Sequence, residues 1–182
     1  FCIDFRKLNN QTIRDSYALP RVDEALQMMG GAKWFSSLDL KAGYWQIEVA
    51  EEDKPKTAFV LPPPFGLWEC NRMPFGLCNA PSTFQRAMEK CLGELNHTCC
   101  VVYLDDIIVF GRDLDEHIER LGRVIDRLAE HGFKLKPSKC HLLQSKVQYL
   151  GHVISEEGIS TNPEKTAAID QWPTPKNERE VR

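Results

Sequence analysis

Residues 99–111 read CCVVYLDDIIVFG, and the fold turns on what the two aspartates at the centre are doing. The flanks CCVVYL and IIVFG are unbroken apolar runs of strand length, and each reads as a buried strand. Two strands separated by two residues predict an antiparallel hairpin, although such turns favour Asn-Gly or Asp-Gly over Asp-Asp. Two unit charges about 4 Å apart repel by about 4 kcal/mol at an effective dielectric of ~20, so the pair either lies in water or is compensated. An exposed acidic turn is one reading. The other is a turn held against a core, because these flanks are too apolar for a hairpin standing in solvent.

Working outward, the chain alternates helical and extended patterns without a regular strand-helix-strand beat. Residues 20–29 start with Pro20, place Val22, Ala25, Leu26 and Met29 at helical spacing and meet Gly30 and Gly31, which predicts a helix. WFSSLDL (34–40) and YWQIEV (44–49) alternate as strands around Lys41, Ala42 and Gly43. TAFVL (57–61) and LWECNR (67–72) flank Pro62, Pro63, Pro64, Phe65 and Gly66, a predicted hairpin with a stiff loop. Residues 80–95 carry Phe84, Ala87, Met88, Cys91, Leu92 and Leu95, the apolar face of a helix whose first turn tolerates Pro81. A second such face is Leu114, Ile118, Leu121, Val124, Ile125 and Leu128, with Gly132 as the stop. FKLK (133–136) and VQYLGHVI (147–154) predict strands, and Asn162-Pro163 opens a last helix that Pro173 closes. The class is α+β.

Composition narrows the function. At 182 residues and 42% hydrophobic content the chain can bury one core. No signal peptide or transmembrane run is present, and the start at Phe1 rather than Met predicts an intracellular piece of a longer protein with no membrane partner. Seven cysteines without a CxxC pair suit a reducing compartment, and the spacing of Cys99, Cys100, Cys140 and His141 is wrong for zinc. The net charge of −3 argues against broad attraction to nucleic acid, yet residues 131–155 hold no carboxylate while including Lys134, Lys136, Lys139 and Lys146. That strip reads as a solvated sheet face or as a contact for a phosphate backbone.

A third acid sharpens the question posed by the pair. Asp39 ends the apolar run WFSSLDL and is followed by a glycine-containing turn. Three carboxylates brought together by strand ends need cations, and a pair of Mg²⁺ ions, with Mn²⁺ as a possible substitute, would supply them through oxygen ligands. Two such ions ~3.5–4 Å apart activate an attacking hydroxyl and neutralise a leaving phosphate, the chemistry of nucleotidyl transfer.

The segment YLDDIIVFG resembles the Tyr-x-Asp-Asp signature of reverse transcriptases. FCIDFRKLN, SLDLKAGYWQI, RMPFGLCNAPSTFQ and QYLGHVIS resemble, in order and spacing, the polymerase motifs of gypsy-type LTR retrotransposons, from Phe1 to about Trp172. The resemblance implies a right-hand polymerase palm with partial fingers and the start of a thumb. Fingers would span about 1–16 and 48–79, palm about 17–47 and 80–155, and the start of the thumb or connection 156–182. It makes Asp39, Asp105 and Asp106 the catalytic, metal-binding triad, with Asp106 the less direct ligand. Tyr44 would stack under the incoming sugar and reject a ribose 2′-OH, whereas the residues alone suggest a core aromatic beside Trp45. Arg72, Pro74, Phe75 and Gly76 would lie over the incoming base and template, with Phe75 packing where related viral enzymes have Gln.

On the same resemblance, Gln85 belongs to the template side of its helix or is a solvated helix residue. Tyr103 and Leu104 lie near the primer terminus, and Gln148, Tyr149, Leu150, Gly151 and His152 form the primer grip. Lys139 protonates departing pyrophosphate or is one more surface lysine, and Asp4, Arg6 and Lys7 match the fingers. The implied reaction is RNA-directed DNA synthesis from deoxynucleoside triphosphates on a primed RNA or DNA template. The remaining Pol domains, namely thumb, connection and ribonuclease H, would be its partners, in a cytoplasmic retroelement particle or the nucleus. A non-catalytic nucleic-acid-binding remnant is the alternative. A metal-dependent nuclease would also cluster carboxylates, but it leaves Tyr44 and residues 148–152 without a purpose.

Overall fold

The unbroken apolar runs are explained by a central sheet buried on both faces. The computed structural model describes residues 2–161 and Ala167. In chain order its elements are α1 (Arg6–Gln11), α2 (Val22–Met28), β1 (Trp34–Asp39), β2 (Phe59–Leu61), β3 (Gly66–Trp68), α3 (Ala80–Leu92), β4 (Cys100–Tyr103), β5 (Asp106–Gly111), α4 (Leu114–Glu130), β6 (His141–Gln144), β7 (Lys146–Tyr149), β8 (His152–Ser155) and β9 (Gly158–Thr161). The central sheet runs β4-β5-β1-β6, and its pairs are antiparallel. Leu38, Cys100, Val102, Ile107 and Val109 turn to one face and pack with Phe84, Met88, Leu92, Val124 and Leu128 of α3 and α4. The alternate residues Phe35, Val101, Ile108 and Phe110 turn to the other, against α2 and against Val147, Tyr149 and Ile154. With both faces covered, neighbours in sequence are equally apolar, so the alternation of a half-exposed strand disappears.

The entry to α4 is built to close tolerance. Asp113 caps the helix by accepting from the Glu116 N–H at 2.8 Å, and the Glu116 carboxylate reaches back to the Arg112 N–H at 2.6 Å. One turn in, buried His117 meets Ser36 of β1, Nε2 to Oγ at 2.7 Å, and Ser36 Oγ also accepts the Leu143 N–H at 3.1 Å. Gly111 makes this approach possible, because a Cβ there would lie 2.8 Å from both Cα and Cβ of His117. Backbone cannot swing aside as a flexible side chain can. Gly111→Ala should therefore destabilise the chain by about 1–3 kcal/mol in urea unfolding, and an unchanged midpoint would mean that α4 shifts freely.

Several expected elements are corrected. Residues 44–49 do not form a strand: Ala42 at φ 51° turns the chain into a short 3-10 turn, Gly43–Gln46, leaving only a bridge between Glu48 and Arg72. Gly43 fits tightly there, since a Cβ would stand 2.9 Å from the Phe84 ring. FKLK contributes a single bridge, Leu135 opposite Leu40, and the strand that actually joins β1 is β6, which was not anticipated. VQYLGHVI is not one strand but the hairpin β7–β8, reversing at Leu150 (φ 48°) and Gly151 (φ 84°). β9 then adds to β8. The predicted 57–72 hairpin forms as β2 and β3, and the helices at 20–29, 80–95 and 114–130 form where expected. The last predicted helix, from Asn162 to Pro173, lies outside the described residues except for Ala167. Among the described residues no helix is long and apolar enough to cross a membrane.

Candidate functional site

Asp39 and Asp106 meet because β1 and β5 pair along their whole length, and the last pair of the register is Asp39 with Asp106. The link between β4 and β5 is not Asp-Asp as expected. Tyr103 pairs with Asp106, so the two-residue turn is Leu104-Asp105, one position earlier. Asp106 therefore begins a strand and Asp105 stands exposed on the turn beside it. Leu104 takes φ 55°. A hairpin with positive φ at its first turn residue normally places Gly there, and left-handed backbone costs other residues about 1–2 kcal/mol.

Electrostatics ties the acids into one group. Partial burial pushes the Asp106 carboxyl above its usual range, the charges of Asp105 and Asp39 push it further, and Lys139 acts against them. Lys139 Nζ stands 3.2 Å from Asp39 Oδ2. It is carried on the 3-10 turn Pro137–Lys139, which is pinned beneath Asp39 by the Lys136 N–H donating to the Asp39 carbonyl at 2.8 Å. Like charges spread apart, and Asp39 takes its counter-charge from Lys139. As the side chains stand, no three His, Cys, Asp or Glu among the described residues are drawn close enough to ligate one ion. The donors on offer at the acids are carboxylate oxygens around a local surplus of negative charge, which fits a hard cation such as Mg²⁺.

The acids open into a cleft of about 510 Å³ between the central sheet and β7, lined among others by Asp39, Asp106, Lys139, Lys146, Gln148 and Tyr149. Of the proposed grip residues, Gln148 faces out, Tyr149 is buried, and Leu150, Gly151 and His152 are half-buried in and after the reversal. The Tyr149 hydroxyl is buried without a hydrogen-bond partner among the described residues, and its phenol is pushed well above the usual value by burial and then by the nearby charge of Asp106. Tyr103 is half-buried against the second core.

Tyr44 stands on the other side of the turn. Its ring lies 5.2 Å from those of Phe75 and Phe84, centre to centre. Burial raises its phenol above the ordinary value, and the charge of Asp105 adds to the rise, which places the two within electrostatic reach. Phe75 is 59% exposed and packs one side on Tyr44, leaving the other face open. Arg72 donates to the Gln46 carbonyl at 3.0 Å and pairs with Glu48 at 3.0 Å, fixing the loop behind Tyr44. Asp4 and Arg6 bind each other at 2.6 Å in the α1 region.

Gln85 is neither a solvated helix residue nor able to present its side chain to a template: it is 0% exposed. It faces the β4–β5 turn from behind, bonded to Leu104 and Val102. The sequence held one signal for this, an amide set directly after Phe84 on an otherwise apolar helix face. Cys91 and Cys100 are buried, and desolvation holds their thiols up to about 11 and about 12, so neither presents a thiolate near neutral pH.

Residues 1–154 match the model of the family described as reverse transcriptase (RNA-dependent DNA polymerase). The chain is 44% identical over 180 residues to the retrovirus-related Pol polyprotein from transposon 297 of Drosophila melanogaster, covering 99% of this chain and 17% of that protein. It is 41% identical over 173 residues to the Pol polyprotein from transposon gypsy of the same fly, covering 95% and 16%. Among solved structures, the foamy viral protease-reverse transcriptase superposes with a TM-score of 0.87 in complex with double-stranded DNA, at 25% identity over 98% of this chain and 31% of that one. The same protein with an RNA/DNA hybrid gives 0.83, at 25% identity over 98% and 24%. The chain thus spans about a sixth of the length of these fly polyproteins.

Proposed function

The chain belongs to the reverse transcriptase (RNA-dependent DNA polymerase) family, with the palm and part of the fingers as its fold, and we propose that it carries the polymerising centre of a retrotransposon Pol polyprotein. The reaction would be attack of a primer 3′-hydroxyl on the α-phosphate of a deoxynucleoside triphosphate, directed by an RNA or DNA template. The observation that carries this reading is the in-register meeting of Asp39 and Asp106, with Asp105 on the adjoining turn, at the wall of an open cleft.

Asp39 and Asp105 would hold two Mg²⁺ ions, with Asp106 beside them. When bound, those ions would lower the pKa of the attacking hydroxyl and neutralise the leaving pyrophosphate. The chain's own residues supply the rest. Lys139, which stands against Asp39, would pass a proton to departing pyrophosphate. Lys139 and Lys146 line the cleft, and Lys134 and Lys136 lie in the same carboxylate-free segment, giving a phosphate backbone a local grip despite the net negative chain. Residues 148–152 form the far wall and its hairpin reversal, where a primer strand would be steadied. The structural neighbours described as complexes with double-stranded DNA and an RNA/DNA hybrid support a nucleic-acid duplex as the partner. Thumb, connection and ribonuclease H would come from the rest of the polyprotein.

Primer extension tests this directly, using the parent polyprotein on a primed RNA template. Deoxynucleotide-dependent extension that EDTA stops is the expected result. Tight template binding with no extension by the folded protein would instead favour a nucleic-acid-binding remnant.

A further inference from the structure

Gln85 lies in the second turn of α3, and two of the hydrogen bonds of its buried side chain reach the end of β4 and the turn that follows. Its Oε1 accepts the Leu104 N–H at 2.7 Å, and its Nε2 donates to the Val102 carbonyl at 3.2 Å and to Glu89 Oε1 at 2.7 Å. Val102 and Leu104 flank Tyr103, so the amide grips the end of β4 and the first residue of the turn together. The grip falls where the backbone is strained, because Leu104 holds φ 55° without being glycine.

The orientation of the amide is itself fixed. A carboxylate only accepts, so Glu89 requires the nitrogen of Gln85 to face it, which leaves the oxygen for Leu104. Glu89 is held in turn, for its second oxygen accepts the hydroxyl of Tyr17. Arg86 then lies over the Tyr17 ring at 4.7 Å and pairs with Asp15 at 2.5 Å. A chain of contacts therefore runs from residues 15–17 through Glu89 and Gln85 to the turn.

We propose that Gln85 is a positioning residue: it holds Leu104 in the left-handed conformation and so sets the direction in which Asp105 presents its carboxylate beside Asp106 and Asp39. Its consequence for metal binding rests on the function proposed above; the clamp on the turn does not. A buried amide that fixes the turn touches neither template nor nucleotide, and its loss acts only through the acids.

Two readouts on the 182-residue chain test this: amide hydrogen exchange at Leu104, and affinity for Mn²⁺ followed by the spectrum of the free ion. Gln85→Met keeps the volume but cannot accept or donate. It should raise Leu104 exchange and weaken Mn²⁺ binding by about tenfold each, the weight of one hydrogen bond, with core amides of α3 unchanged. Glycine takes positive φ without strain, so adding Leu104→Gly to Gln85→Met should recover most of the lost Mn²⁺ affinity. A merely structural glutamine would lower thermal stability without that rescue. Should Gln85→Met fail to fold, Gln85→Glu paired with Glu89→Gln puts a donor back against the new carboxylate, keeps an oxygen toward Leu104 and should keep its amide protected; loss of protection there would overturn the clamp. Unchanged Leu104 exchange in Gln85→Met overturns the proposal, and so does faster exchange with unchanged Mn²⁺ affinity. If the unaltered chain binds no Mn²⁺, the metal reading of the site fails, and Leu104 exchange alone decides the clamp.

Discussion

The Asp105→Asn variant of the parent polyprotein is expected to lose DNA synthesis by far more than 100-fold, since even partners behind a metal ligand cost about 10–100-fold when removed. The side chain keeps its size, and the turn keeps its backbone, because Asp105 is exposed and the hydrogen bond that secures the turn is made by the preceding Leu104. What disappears is one of the charges that raise Asp106. The variant should therefore fold at least as stably as the parent without divalent metal, and the Asp106 carboxyl should fall toward its ordinary range. Primed-template binding, which the proposed function assigns to lysines around the cleft, should change little. Synthesis, melting temperature and template affinity measured on one preparation separate the possibilities. If synthesis survives with the other two unchanged, Asp105 holds no metal and the two-ion mechanism fails.

The placement of the acids was legible in the sequence because strand ends were legible. WFSSLDL and IIVFG are strongly apolar strands, and burial on both faces of a four-stranded sheet is the usual reason for such runs. Their antiparallel register, which brings Asp39 opposite Asp106, depends on which strands are neighbours, and β4 and β5 could be paired from the two-residue gap alone. The exact turn could not be read. Leucine is a poor turn residue, so nothing in YLDDII announces that Leu104 rather than Asp106 makes the corner; the buried amide of Gln85, nineteen positions earlier, stabilises it. β6 was hidden for a related reason. All its residues are exposed, and its strand character comes from pairing with β1 rather than from its own pattern. In the segment 44–49, alternation suggested a strand, but the close contact of Gly43 with Phe84 bends the chain into a 3-10 turn. Local periodicity fails in these places because a distant partner sets the conformation.

That same bend governs the second large effect. By curling rather than extending, the chain sets the Tyr44 ring between Phe75 and Phe84, on the side of the turn where the Asp105 charge reaches it. On the function proposed above, a nucleotide whose phosphates lie at the acids would bring its sugar against this ring, which would crowd a 2′-hydroxyl. Tyr44→Ala should raise ribonucleotide over deoxynucleotide use by about 10–100-fold, the range within which a pocket wall discriminates a single hydroxyl. Losing two ring contacts also costs stability, at about 0.5–1.5 kcal/mol per pair, so the ratio of the two incorporation efficiencies is the quantity to measure rather than either rate. Tyr44→Phe keeps the ring and loses only the hydroxyl, and it should discriminate as the parent does. A ratio unchanged in Tyr44→Ala would leave the ring as core packing between Phe75 and Phe84. A ratio raised equally in Tyr44→Phe would transfer the discrimination from the ring to its hydroxyl.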